Sequence, residues 1–184
     1  NMPDQVNAEP LERKIWRFVR DSSYHFVPIT SDAWLLATGP TMKSFGFGLC
    51  SNVASVFVQI AQAAGYEARA RSLTGHVVPE IRVNGAWRMY DPDLAVYYQK
   101  ADGTVAGVDD LATDPALISS PINPIFSPGA NDVVYSQAVA AIYGSSTNHQ
   151  ILGYLPTDSF LGGHITLPAG ARLVYPGVWT AAPT

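Results

Sequence analysis

The chain has 184 residues, enough to bury one sizeable core with length to spare for an accessory element. Its composition, 47% hydrophobic and 14% charged, excludes a disordered or fibrous chain. The net charge of -4 is dispersed, and its densest run is the short, mixed Glu12-Arg13-Lys14, so there is no electrostatic footprint for nucleic acid.

No stretch nears the roughly 20 apolar residues of a membrane span, and no basic start leads into an apolar signal segment. A soluble chain is expected. The ends, Asn1-Met2 and Ala181-Ala182-Pro183-Thr184, read as those of a fragment. A signal peptide removed with the missing part would place the protein in a secreted or periplasmic setting.

From Glu9 to Arg20, Leu11, Ile15, Phe18 and Val19 fall at helical spacing, with Glu12, Arg13, Lys14, Arg17 and Arg20 on the other face. Asp21 to Pro40 is broken by Pro28, Gly39 and Pro40 and reads as an irregular approach carrying Tyr24, His25, Phe26 and Trp34. Gly46 and Gly48 lead into a new periodic run, in which Val53, Phe57, Ile60 and Ala64 predict a helix stopped by Gly65. Cys50 therefore opens a helix. Unsatisfied amides and the positive dipole end at such a position stabilise an anion and can receive a developing oxyanion.

Tyr66, Ala68 and Ala70 alternate with Glu67, Arg69 and Arg71, which predicts a strand to Leu73. A second strand follows from His76 to Val83. Asn84-Gly85 is a two-residue hairpin signal, and Ala86 to Tyr90 is its returning partner. With Val83 opposite Ala86, Val78 stands opposite Asp91 and His76 opposite Asp93, so all four share one face. Asp91 lies diagonal to His76, within side-chain hydrogen-bonding reach, and Asp93 satisfies the same face rule. Pro79 threatens this register, because it cannot donate to the ladder and can mark a bulge.

After Tyr98 the pattern weakens into a chain wrapping the surface, with a short helix near Val108 to Ala112. Another helix is expected from Asp132 to Tyr143, and a small β element from Gly153 onward.

A thiol, a base within reach and a carboxylate that selects the base's tautomer are what nucleophilic catalysis needs. Cys50 is the only cysteine in the chain. The hairpin face therefore calls for Cys50 as nucleophile, arriving from an element on that same side. With one cysteine, neither an internal disulfide nor a multi-cysteine metal site is available. His25, His149 and His164 show no ligand spacing, so no metal or other cofactor is expected. Trp87 and Trp34 are read as core or cleft wall, with Trp34 a minor candidate for oxyanion donor.

The segments Gly48-Leu49-Cys50-Ser51-Asn52, Gly65-Tyr66-Glu67-Ala68-Arg69, Gly75-His76-Val77-Val78-Pro79-Glu80 and Gly85-Ala86-Trp87-Arg88-Met89-Tyr90-Asp91-Pro92 together resemble the core of the transglutaminase-like superfamily. The match spans about half the chain, and Leu11 to Phe26 is similar to the family's leading helix and aromatic approach. The resemblance implies an α+β, papain-like core in which the Cys-bearing helix packs on an antiparallel sheet. It also implies a Cys-His-Asp triad of Cys50, His76 and Asp91, settling the carboxylate in favour of Asp91. A catalytic domain over residues 1–145 is expected, followed by a β-rich extension over 146–184.

Members of this family cross-link proteins, cleave peptides or act as glycopeptide amidases, and some have lost the triad. Hydrolysis of an amide bond through a thioester is the favoured expectation, since water is always present and nothing announces a lysine channel. The expected partner is a polypeptide or other amide-containing substrate. The alternatives are amine transfer to protein glutamine and a noncatalytic binding domain that retains the fold.

Overall fold

The computed structural model describes residues 9–26, 46–120, 142–144 and 150–152. The irregular approach with Trp34, most of the helix expected from Asp132, His149, His164 and the chain beyond 152 lie outside the described residues.

Helix α1 (Leu11–Ser22) buries Glu12, Ile15, Trp16 and Val19. The stripe is shifted from the expected one: Leu11 and Phe18 are exposed, and Glu12, expected on the charged face, is buried beside Trp16. Two short strands, β1 (Tyr24–His25) and β2 (Phe47–Gly48), pair in parallel and bring the chain to helix α2 (Cys50–Ala63). The Cβ of any residue replacing Gly48 would stand 2.7 Å from Cβ of Asn52. Only glycine allows the lead-in to pass this close to the first turn of α2.

Strands β3 (Ala68–Leu73), β4 (His76–Val83) and β5 (Ala86–Met89) form an antiparallel meander, and β6 (Gln150–Leu152) pairs with the free side of β3. The hairpin between β4 and β5 turns on Asn84 (φ 52°) and Gly85 (φ 81°). Both positive angles are those of the mirror-image turn that matches strand twist. Val83 faces Ala86 and Glu80 faces Met89. Pro79 causes no bulge, because it pairs with Ala70 in an unbroken β3–β4 register and its carbonyl accepts from Tyr90 N–H at 3.3 Å.

The expected pairing of His76 with Asp93 does not form. The ladder ends at Met89, and the chain folds into a tight turn in which Asp91 and Val96 exchange both backbone hydrogen bonds at 2.9 Å. Asp93 thus sits within a turn, off the strand.

Alternation along the strands gives the sheet two differently covered faces. On one, Ile81, Val83 and Ala68 pack against Val53, Val56, Phe57 and Ala61 of α2, with Ile15, Trp16 and Val19 of α1 behind them. On the other, Leu73, Val78 and Met89 meet Val108 and Leu111 of α3 (Val108–Thr113), Ile118 of α4 (Ala116–Ser119) and Tyr143. This second face also holds fully buried Glu80, which binds Arg69 at 2.7 Å and accepts from Val108 N–H at 2.8 Å. No helix among the described residues is long and apolar enough to cross a membrane.

Candidate active site

Cys50 is the first residue of α2 and is a half-buried free thiol. Asn52 fixes this helix start by accepting the Leu49 N–H on its Oδ1 at 2.9 Å. Leu49 O in turn accepts from the amides of Asn52 and Val53 at 2.9 and 3.1 Å. The amides of Cys50 and Ser51 make no hydrogen bond to another described residue. First-turn amides have no intrahelical acceptor and can receive an anion.

His76 opens β4 and is buried, 7% exposed. Its Nε2 donates to Asp91 Oδ2 at 2.7 Å, and the Cys50 side chain lies near enough to raise the basicity of the ring. Since Nε2 is engaged with the carboxylate, Nδ1 is the nitrogen left for the sulfur. Cys50, His76 and Asp91, the three residues singled out from the sequence, therefore come together in this order.

They do not meet in the way the face argument expected. Helix α2 packs on the Ile81 face, whereas His76 and Asp91 belong to the Val78 face. His76 is the first residue of its strand and Cys50 the first residue of α2.

Burial by itself would depress the basicity of His76. The hydrogen bonds to Asp91 and Cys50, together with the charges on both, overcome that penalty and push its pKa up to about 10. The ring therefore favours the imidazolium form when it stands between two anions. A thiolate beside an imidazolium can attack an electrophilic carbon, and the same imidazolium can deliver its proton to a leaving group.

Asp91 is held more tightly than a diagonal strand pair alone would hold it. Its Oδ1 accepts from Leu94 N–H at 2.9 Å, and its backbone carbonyl accepts from Trp16 Nε1 at 2.9 Å. Tyr143 Oη also donates to Oδ2, the oxygen that serves His76. No periodicity or motif in the sequence connects Tyr143, Trp16 or the Leu94 amide with the hairpin.

Asp93, the alternative carboxylate, has another partner. Both of its oxygens lie 2.8–2.9 Å from Nδ1 of His25, whose side chain is half exposed. Burial and the nearby charge of Asp91 push the Asp93 carboxyl above its ordinary range, against the opposing pull of His25 and His76. His25, read as an ordinary polar residue, thus links β1 to the turn that follows Asp91.

No protein-family model, curated protein or solved structure matches this chain. The functional reading rests on the residues themselves.

Trp87 lies on the outer part of the hairpin, with Arg69 3.9 Å above its ring, and serves as a wall of the charged second face. Trp34 lies outside the described residues. Among the described residues, no group of three or more His, Cys, Asp or Glu side chains is arranged to hold a metal ion.

Proposed function

We propose that this chain is a transglutaminase-like thiol enzyme domain with a papain-like core, acting on an amide bond through Cys50, His76 and Asp91. One observation carries the reading: His76 is bonded to the Asp91 carboxylate through Nε2, while the half-buried Cys50 at the start of α2 lies near enough to raise the basicity of the ring. A histidine that served only to staple the hairpin would need the carboxylate and not the thiol.

The Cys50 thiolate attacks the amide carbonyl, and the carbonyl electron pair moves onto oxygen beside the Cys50 and Ser51 amides. As that oxyanion collapses, the C–N bond breaks and the His76 imidazolium gives its proton to the departing amine. A thioester and a neutral imidazole remain. Water then attacks the thioester while His76 takes its proton, and the C–S bond breaks to restore the thiolate and imidazolium. Asp91 holds the ring with Nδ1 toward the sulfur and stabilises its charged state.

Hydrolysis is favoured over amine transfer because Cys50 is not fully buried, so water has access to the residue that would carry the thioester. Two measurements test the proposal. Intact-mass analysis with a thiol-directed electrophile should show one fast modification, at Cys50, that depends on His76. A glutamine-containing protein mixed with a labelled primary amine should take up little label. Strong labelling that requires Cys50 would establish amine transfer in place of hydrolysis, and an inert Cys50 would overturn the enzyme reading.

A further inference from the structure

The Asp91 carboxylate has more partners than a hairpin pair requires. Oδ1 takes the Leu94 amide, while Oδ2 takes both His76 Nε2 and Tyr143 Oη. Tyr143 is fully buried. Its ring meets the His76 ring edge-on at 6.3 Å and the Tyr98 ring at 5.8 Å, so aromatic packing holds the phenol independently of its hydroxyl. A residue needed only to fill this space could be phenylalanine. The hydroxyl adds a desolvation cost that a hydrogen bond to an ionised acceptor offsets.

We propose that Tyr143 is a positioning residue of the triad: its hydroxyl, seated on the Asp91 oxygen that also serves His76, locks the carboxylate in place and takes up part of its charge. This deepens the thiol-enzyme reading and rests on it. With both oxygens anchored, the carboxylate cannot rotate away when the imidazole gives up its proton, which keeps Nδ1 aimed at the sulfur. Sharing Oδ2 also moderates the hold of Asp91 on the imidazolium, so the ring can release its proton to a leaving amine. Among the described residues, the charged and titratable groups near His76 are Cys50, Asp91 and Tyr143, with Asp93 and its partner His25 beyond them.

Tyr143→Phe keeps the ring and removes only the hydroxyl, so the test is ring-nitrogen NMR of His76 across pH in the parent and variant. Once Oδ2 serves His76 alone, the His76 midpoint should rise by roughly half a pH unit or more, since a stronger hydrogen bond to the charged form favours it. The rate of Cys50 alkylation should change across the same pH range. Lower thermal stability with an unchanged or lowered His76 midpoint would show that Tyr143 only packs, and would overturn the proposal.

If Tyr143→Phe does not fold, the unaltered protein carries the test. A far-downfield hydroxyl proton, protected from exchange and correlated with the Tyr143 ring, is expected, and its absence overturns the proposal. Neither NMR measurement requires catalysis, so an inert Cys50 beside a shifted His76 midpoint would sink the enzyme reading and leave the Tyr143–Asp91–His76 coupling standing.

Discussion

Asp91→Asn is the sharpest test of the site, because an amide cannot serve all the donors that this carboxylate accepts. Oδ1 accepts the Leu94 N–H at 2.9 Å, and Oδ2 accepts both His76 Nε2 at 2.7 Å and Tyr143 Oη. Asparagine has one acceptor oxygen. If that oxygen replaces Oδ2, the new NH₂ group meets the Leu94 N–H donor to donor. If it replaces Oδ1, the NH₂ group points at His76, makes Nε2 an acceptor and leaves the imidazole proton on Nδ1 beside the sulfur. Either arrangement removes the charge that offsets burial of the imidazolium, and the second also prevents His76 from taking the thiol proton. Breaking one side of a buried ion pair costs about 3–5 kcal/mol, equivalent to a rate loss of about 10²–10⁴ at ~1.36 kcal/mol per decade. The assay is alkylation of Cys50 followed by intact mass across pH, with circular dichroism to establish that the variant is folded. A folded variant that alkylates at the parental rate at every pH would refute the assignment of Asp91.

Asp93→Asn should change the Cys50 alkylation rate by about threefold or less, because its partner His25 is half exposed and such pairs contribute little; a loss matching that of Asp91→Asn would show that both carboxylates act on the base. His76 binds more protons folded than unfolded wherever the pH lies between its ordinary value near 6.5 and its folded value of about 10. Its stabilising contribution is therefore complete below the lower value and lost as pH rises through the upper one. Thermal unfolding midpoints should fall across that interval in the parent, and the fall should be smaller in His76→Gln; identical profiles would refute the linkage. Gly48→Ala puts a Cβ 2.7 Å from that of Asn52, so urea unfolding should show a loss of about 1–3 kcal/mol, together with slower Cys50 alkylation, and unchanged stability would mean that the lead-in to α2 moves aside freely.

The parts legible in the sequence are those set by local geometry. Asn84-Gly85 dictates a two-residue turn, and from that turn the register of β4 and β5 follows by counting. The same counting placed His76 near Asp91, and the periodicity of Val53, Phe57 and Ile60 placed Cys50 at the start of its helix. What the sequence hid depends on layers brought in from elsewhere in the chain. Alternation of Arg69 and Arg71 with Ala68 and Ala70 distinguishes two faces without saying that α3 covers the charged one, where Arg71 is buried and bound to Asp109 at 2.8 Å. That α2 packs on the opposite face was hidden for the same reason, since register describes a sheet's faces and says nothing of which helix covers each. Tyr143 lies 52 positions beyond Asp91, and no local pattern carries information over that distance.

The distribution of constraints within the site is itself informative. Asp91 is fixed by contacts from α1 through Trp16, from β4 through His76, from its own turn through Leu94 and Val96, and from Tyr143. The turn also holds Ala95 at φ 56°, a left-handed conformation that costs a residue with a Cβ roughly 1–2 kcal/mol and persists only where the surroundings over-determine it. Cys50 is less buried than His76 or Asp91, and it stands on α2, the helix that packs on the opposite face of the sheet. Asp91 and His76 are buried while Cys50 is partly exposed, which is the division the proposed thiol enzyme requires if its nucleophile is to meet a substrate without disturbing the groups behind it.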